Sequence, residues 1–278
     1  MRIFRILLLI ILFTLMNYWA IHAYTHAKAY ESATASIAKA SDAAALAQGK
    51  IDQLTSVISF GWIKDKRKEE LNQLKTQQQQ ERKEANRYLY YFLGTLGATL
   101  LIALGCSTIG ATLILATDAL ISLIFGLINP ILMVTIHKEI EHLGDVILSF
   151  ESKGIVGSIS KLWESGEHVV GMTILLFSVV IPLLKISTLI LTLLFKEFKF
   201  AHRGVALFKH LGKWSMLDVF VVAIFLVYLT SNQGEVSRAE IQIGLYFFLT
   251  YVILSMITTI MTQKVISPSS HHHDLKTP

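Results

Sequence analysis

The chain has 278 residues, 53% hydrophobic and 16% charged, with a formal net charge of +5 and a mean hydropathy of +0.54. This balance excludes one soluble core that hides most of the apolar surface, and uncharged runs longer than the roughly 20 residues that cross a bilayer make the chain a polytopic membrane protein. The basic excess is small and spread over loops with no nucleic-acid motif, so it points to anionic headgroups and away from DNA or RNA.

Hydropathy predicts six spans, at approximately 3–21, 88–115, 119–136, 169–195, 216–229 with its flanks, and 241–261. Residues 1–23 combine a basic start with small residues at Ala20 and Ala23, as in a cleavable signal peptide; their apolar run is also long enough to stay as an anchor, the preferred reading. The most polar part of the chain follows. Alanine-rich 27–59, with Ile51, Leu54 and Ile58 at helical spacing, and 64–87, with acids and bases around Leu71 and Leu74, predict an extramembrane helical hairpin that turns at Phe60-Gly61-Trp62. The run Gln77–Gln80 reads as a solvated helix face.

The stretch 88–136 holds one charge, Asp118, and is too long for one crossing. Thr117-Asp118 is the expected turn, with Asp118 capping the next helix from the interface; Gly105 to Gly110 is the alternative. Beyond it, Val134 and Ile136, then Val146, Leu148 and Phe150, alternate with polar residues and predict a small β-hairpin turning at Leu143-Gly144-Asp145. Glycines 154 and 157 end that pattern. Ile155, Ile159, Leu162 and Trp163 then give a short amphipathic helix at the outer interface, with Trp163 as its anchor. His137, His142 and His168 match no metal-site spacing, and His271-His272-His273 lies in a Ser/Pro-rich tail read as disordered over 267–278. The single cysteine, Cys106, excludes an intramolecular disulfide, a four-cysteine zinc ribbon and a CxxC pair.

Two ionisable residues fall within apolar spans: Lys185 in the fourth and Asp218 in the fifth. Such groups cost roughly 2.5–3.5 kcal/mol each on insertion scales and are kept where they pair, line a wet cavity or carry function. Ser178 lies two turns before Lys185 on the same face, and Pro182 between them removes a backbone hydrogen bond. Ser215 shares a face with Asp218, with Trp214 at the interface; Thr250 and Ser255 offer hydroxyls on the sixth span. The network is read either as a structural ion pair or as the lining of a polar cavity that receives a lipid headgroup or moves a proton. There is no P-loop, GxSxG, HExxH or convincing serine, histidine and acid set, so the expectation is no enzyme, no cofactor and no metal.

Five bases between Lys196 and Lys213 place that short loop in the cytoplasm by the positive-inside rule, and both termini with it. The hairpin and the residues at 137–168 then face the periplasm.

From Gly126-Leu-Ile-Asn-Pro130 onward the chain resembles the paraquat-inducible protein A family, the PqiA and LetA type of bacterial inner-membrane protein. The residues that carry the resemblance are Phe150-Glu-Ser-Lys-Gly-Ile-Val-Gly157, Ser178-Val-Val-Ile-Pro-Leu-Leu-Lys185 and Gly212-Lys-Trp-Ser-Met-Leu-Asp-Val-Phe-Val221. The resemblance covers about half the chain. It implies one four-helix membrane module, a polar network at Ser178, Lys185, Ser215 and Asp218 with Thr250 or Ser255, and partnership with MCE-type proteins that carry lipid between membranes. Larger relatives have two modules and cysteine-rich zinc ribbons, whereas this chain has one module, no ribbon and an added hairpin.

The expected architecture is an all-α polytopic membrane protein: 1–118 as two spans with their hairpin, 119–266 as the module, and 267–278 as tail. The expected function is phospholipid handling at the bacterial inner membrane. A scaffold or envelope-stress protein binding periplasmic partners through the hairpin, and a proton-coupled small-molecule transporter, are the alternatives.

Overall fold

The computed structural model describes residues 2–51, 60–140, 144–194 and 237–266. Helix α1 (Arg2–Ile51) begins in the first apolar run and continues unbroken into the alanine-rich polar part, and α2 (Phe60–Leu104) returns through the charged stretch into the second apolar run. Their extramembrane and apolar parts are single continuous helices, since neither contains a proline or a capped break and alanine is the best helix former. The seam positions of α1 are Met16, Ala20, Ala23, Ala27, Tyr30, Thr34 and Ile37, with Ala33 and Ala38 also buried beside them; those of α2 include Ala85, Leu89, Phe92, Leu96, Thr99 and Ala103. Both sets step by alternating three and four residues, the heptad spacing that lets two helices wind about one seam. Alanines on that seam let the backbones approach closely.

Phe60, Gly61 and Trp62, expected as the turn, already belong to α2; the reversal falls in 52–59, outside the described residues. The Thr117-Asp118 turn is also corrected. Helix α3 (Thr108–Ile128) runs continuously through both residues, and the chain breaks at the alternative, Gly105 to Gly110. Gly105 N–H donates to Ile102 O at 3.1 Å and Cys106 N–H to Ala103 O at 3.0 Å, closing α2. Ser107 then caps α3, accepting from Gly110 N–H. A serine beside glycine gives a cap with an exit from the preceding helix; Thr117-Asp118 has no breaker next to it.

The third span was expected to reach Ile136, but α3 ends at Ile128 and Asn129 is extended. Proline at 130 disfavours helical backbone in the residue before it. The chain then enters β1 (Leu132–Ile140), which pairs antiparallel with β2 (Gly144–Lys153). This is the expected hairpin, lengthened, with its reversal at 141–143 outside the described residues. A third strand, β3 (Ser237–Ile241), pairs antiparallel with the other edge of β1, giving the order β2-β1-β3.

After β2 come α4 (Ile155–Glu164), α5 (His168–Ile174), a π-helical stretch (Leu175–Val180) and α6 (Ile181–Leu194), and after β3 comes α7 (Ile243–Ile266). Among the described residues, five helical segments are long and apolar enough to cross a membrane: Ile3–Ala40, Glu69–Leu104, Thr108–Ile128, His168–Leu194 and Ile243–Thr262. The protein is therefore a multi-pass, largely helical membrane protein with a small sheet. The expected span at 216–229 lies outside the described residues, as do the loop 196–213 and the tail.

Helix α3 is the centre of the membrane part, with α7, α6 and α2 packed around it. Its closest partner is α7: a Cβ on Gly126 would stand 2.8 Å from Phe248 N, and one on Gly244 would stand 2.6 Å from Pro130 O. Gly244 N–H donates to that same carbonyl at 2.9 Å, tying the end of α3 to the start of α7. The helical hairpin is tied to the sheet. Tyr30 Oη donates to Glu240 at 2.8 Å, Arg82 pairs with Glu240 at 3.3 Å, and Phe150 packs on the buried Ile37, Ala38 and Leu71.

Candidate functional site

The fourth span carries the sequence-predicted polar residues on a helix that changes pitch. Proline at 182 has no N–H, so the carbonyl of Ser178, four residues back, loses its α-helical donor. The chain adapts by widening into the π-helical stretch Leu175–Val180, which contains Ser178, and Ile181 N–H donates to Leu176 O, five residues back. Widened turns of this kind recur at functional sites because they release backbone groups and re-aim side chains. Ser178 is half-buried and Pro182 buried. One turn below them Lys185 is only 3% exposed, and between Val169 and Leu194 it is the single charged side chain.

Thr250 and Ser255, left as alternatives by the sequence, differ in state. Thr250 is half-buried and donates to Tyr246 O on its own helix at 2.8 Å. Ser255 is 1% exposed, and its Oγ has no hydrogen-bond partner. Further down α7, Thr258, Thr259 and Thr262 are buried and each donates to a carbonyl four residues back. The α6 and α7 residues sit on helices that both pack on α3, and neither Thr250 nor Ser255 hydrogen-bonds to the residues of α6. Ser215, Asp218 and the expected anchor Trp214 lie outside the described residues. The other anchor, Trp163, is 49% exposed at the end of α4, and its ring meets that of His168 at a tilt, with centroids 5.1 Å apart.

The most buried acid among the described residues is one that the sequence reading places in water. Asp118 is 0% exposed at the middle of α3, where Thr99 of α2 bonds its Oδ2 at 2.9 Å and its Oδ1 has no partner. The signal was present: Asp118 is the only charge in nearly fifty residues. Because α3 begins at Thr108, Asp118 lies in mid-helix and cannot cap a helix from the interface.

At the outer end, the hairpin, β3 and α7 enclose a small polar cleft lined by Tyr30, Arg82, Asn86 and Gln242 among others. On the exposed side of the sheet Glu151 pairs with Lys153 at 3.4 Å and with Lys161 of α4. The hydrogen bond from Lys161 holds the Glu151 carboxyl below its usual range. No cluster of metal-binding side chains occurs among the described residues.

The model of the family described as Paraquat-inducible protein A matches residues 109–266, from the start of α3 to the end of α7. The chain belongs to that family. The match spans α3, the sheet, α4 to α6 and α7, with the α1–α2 hairpin outside it. A "Probable intermembrane transport protein" of Haemophilus influenzae is 27% identical over 111 residues, which is 38% of this chain and 26% of that protein. The chain thus matches about a quarter of that relative's length. No solved structure matches the chain.

Proposed function

We propose that this protein handles phospholipid in the bacterial inner membrane, receiving the headgroup beside α6 and passing lipid to an MCE-type periplasmic partner. The observation that carries the reading is Lys185, a cation buried at membrane depth on the helix that Pro182 and the widened turn open. A compact ammonium suits a phosphate as a point charge, and Ser178, inside the widened turn, supplies a hydroxyl. Asp218 and Ser215 are proposed to complete the polar lining, with Asp218 balancing the charge of Lys185 when no lipid is bound. Family membership and the intermembrane transport relative support transport over catalysis.

The test is photocrosslinking in native membranes. A probe at Ser178 should capture phospholipid, and Lys185→Met should reduce that capture several-fold when it is normalised to the folded protein recovered. If a probe at Ser178 captures no lipid while probes on the exposed Leu184 and Leu191 of the same helix do, the cavity reading fails and the hairpin becomes the functional surface.

A further inference from the structure

Asp118 poses a problem of proton counting. Its Oδ2 lies 2.9 Å from Thr99 Oγ1, and Thr99 Oγ1 also lies 2.7 Å from Leu96 O. The hydroxyl has one hydrogen for two acceptors. If that hydrogen goes to Asp118, a carboxylate is left in a 0% exposed position with one hydroxyl bond and a bare Oδ1. If it goes to Leu96 O, the short contact between Thr99 Oγ1 and Asp118 Oδ2 must be bridged by a proton from the carboxyl. The second arrangement makes both contacts good hydrogen bonds and buries no charge. An unpaired carboxylate in an apolar site costs far more than a neutral acid.

Among the described residues no charged side chain pairs with Asp118 to reverse that balance. Of the described elements packed against α3, α6 brings Lys185, α1 brings Arg5, α7 brings Tyr246, Tyr251 and, near its far end, Lys264, and α4 brings Lys161 and Glu164; α2 brings Thr99 and, at the turn, Cys106 follows. Arg5 donates to Gly105 O at the membrane edge and Lys161 pairs with Glu151. Ala116 is the α3 residue buried with Leu189 and Leu193 of α6. Two residues along a helix turn the side chain by roughly 200°, so Asp118 points away from the Lys185 helix.

The bare Oδ1 has a counterpart. With Gly126 against Phe248 and the two helices antiparallel, going back eight residues to Asp118 and forward seven to Ser255 covers about 12 and about 10.5 Å. Asp118 Oδ1 and Ser255 Oγ, both buried and without a hydrogen-bond partner, therefore sit at one depth on facing helices.

We propose that Asp118 is an exchangeable proton-binding site at membrane depth, holding its proton toward Thr99 and exchanging it on the side lined by Ser255. The proposal stands whether or not the cargo is lipid.

The experiment is infrared titration of the full-length protein in liposomes, from acidic to alkaline buffer. The wild type should show the carbonyl band of a protonated carboxylic acid at neutral pH, lost on alkaline titration. Asp118→Asn, which keeps the shape and can still donate to Thr99, should lack the band. Thr99→Val should keep it but move it to higher frequency, because the acid has lost its hydrogen-bond acceptor. A wild-type spectrum without the band, or a band that persists in Asp118→Asn, overturns the assignment. A band that never titrates makes the acid a fixed structural bond and overturns the exchange. Should Asp118→Asn fail to fold, an unshifted band in Thr99→Val overturns it equally.

Discussion

Gly126 and Gly244 are glycine because backbone atoms of another element stand where a side chain would begin, whereas Gly97 on α2 has open space there. Gly126→Ala forces α3 and α7 apart and should cost about 1–3 kcal/mol, the range for overpacking, seen as a lower thermal midpoint in detergent. Gly97→Ala should be neutral or raise the midpoint by the helix-propensity gain of up to about 1 kcal/mol. Equal losses at both positions would show that the close α3–α7 approach is not what fixes Gly126. The proposed pairing of Lys185 with Asp218 belongs at this scale too. Removing one member of a buried pair costs roughly 3–5 kcal/mol in soluble proteins, so Lys185→Met and Asp218→Leu are each expected to reduce folded yield. Their combination should restore yield while leaving lipid capture lost. Strictly additive yield losses would reject the pairing.

Between α1 and α2 the alanine seam decides how close two elements lie. Ala23 is 0% exposed in the midst of it, so Ala23→Leu should separate the helices and cost about 1–3 kcal/mol. Circular dichroism melting of this variant beside the wild type makes the comparison, and an unchanged midpoint would show that the seam is not closely packed at Ala23. The joint between β2 and α4 has a different character. Because Lys161 lowers the folded Glu151 carboxyl below its unfolded value, this pair's contribution is present above about pH 4.3 and is lost as pH falls through the lowered folded value. Both side chains are more than a third exposed, so solvent screening keeps the effect within about 1 kcal/mol. Glu151→Gln should flatten that acid limb of the stability curve, lowering stability at neutral pH by up to about 1 kcal/mol and matching the wild type at the acid end.

For the molecule as a whole, the proposed orientation puts the α1–α2 hairpin and the sheet in the periplasm, with the loop 196–213 and both termini inside. A cysteine placed at Gly61 should react with an impermeant thiol reagent applied to whole cells, and one placed at Gly204 should not; the reverse pattern rejects the orientation. The hairpin is tied to the family module through Tyr30, Arg82 and Glu240.

Length, composition and local pattern determined on their own that the chain is a multi-pass helical protein. The alternation from Val134 to Phe150, the amphipathic run at Ile155 to Trp163 and the break at Pro182 are likewise local, because each records which face of one element meets water or which backbone donor is missing. The tertiary structure decided what depends on neighbours. Asp118 is legible as a lone charge, but whether it caps a helix in water or lies buried beside Thr99 depends on where α2 ends, and that is set by Gly105 and Ser107 thirteen and eleven residues earlier. The third strand is equally non-local: Ser237–Ile241 becomes a strand by pairing with β1, about a hundred residues away in sequence. Five residues lack the length to announce such a partner, and the hydrogen bonds that make the strand exist only once the edge of β1 is in place.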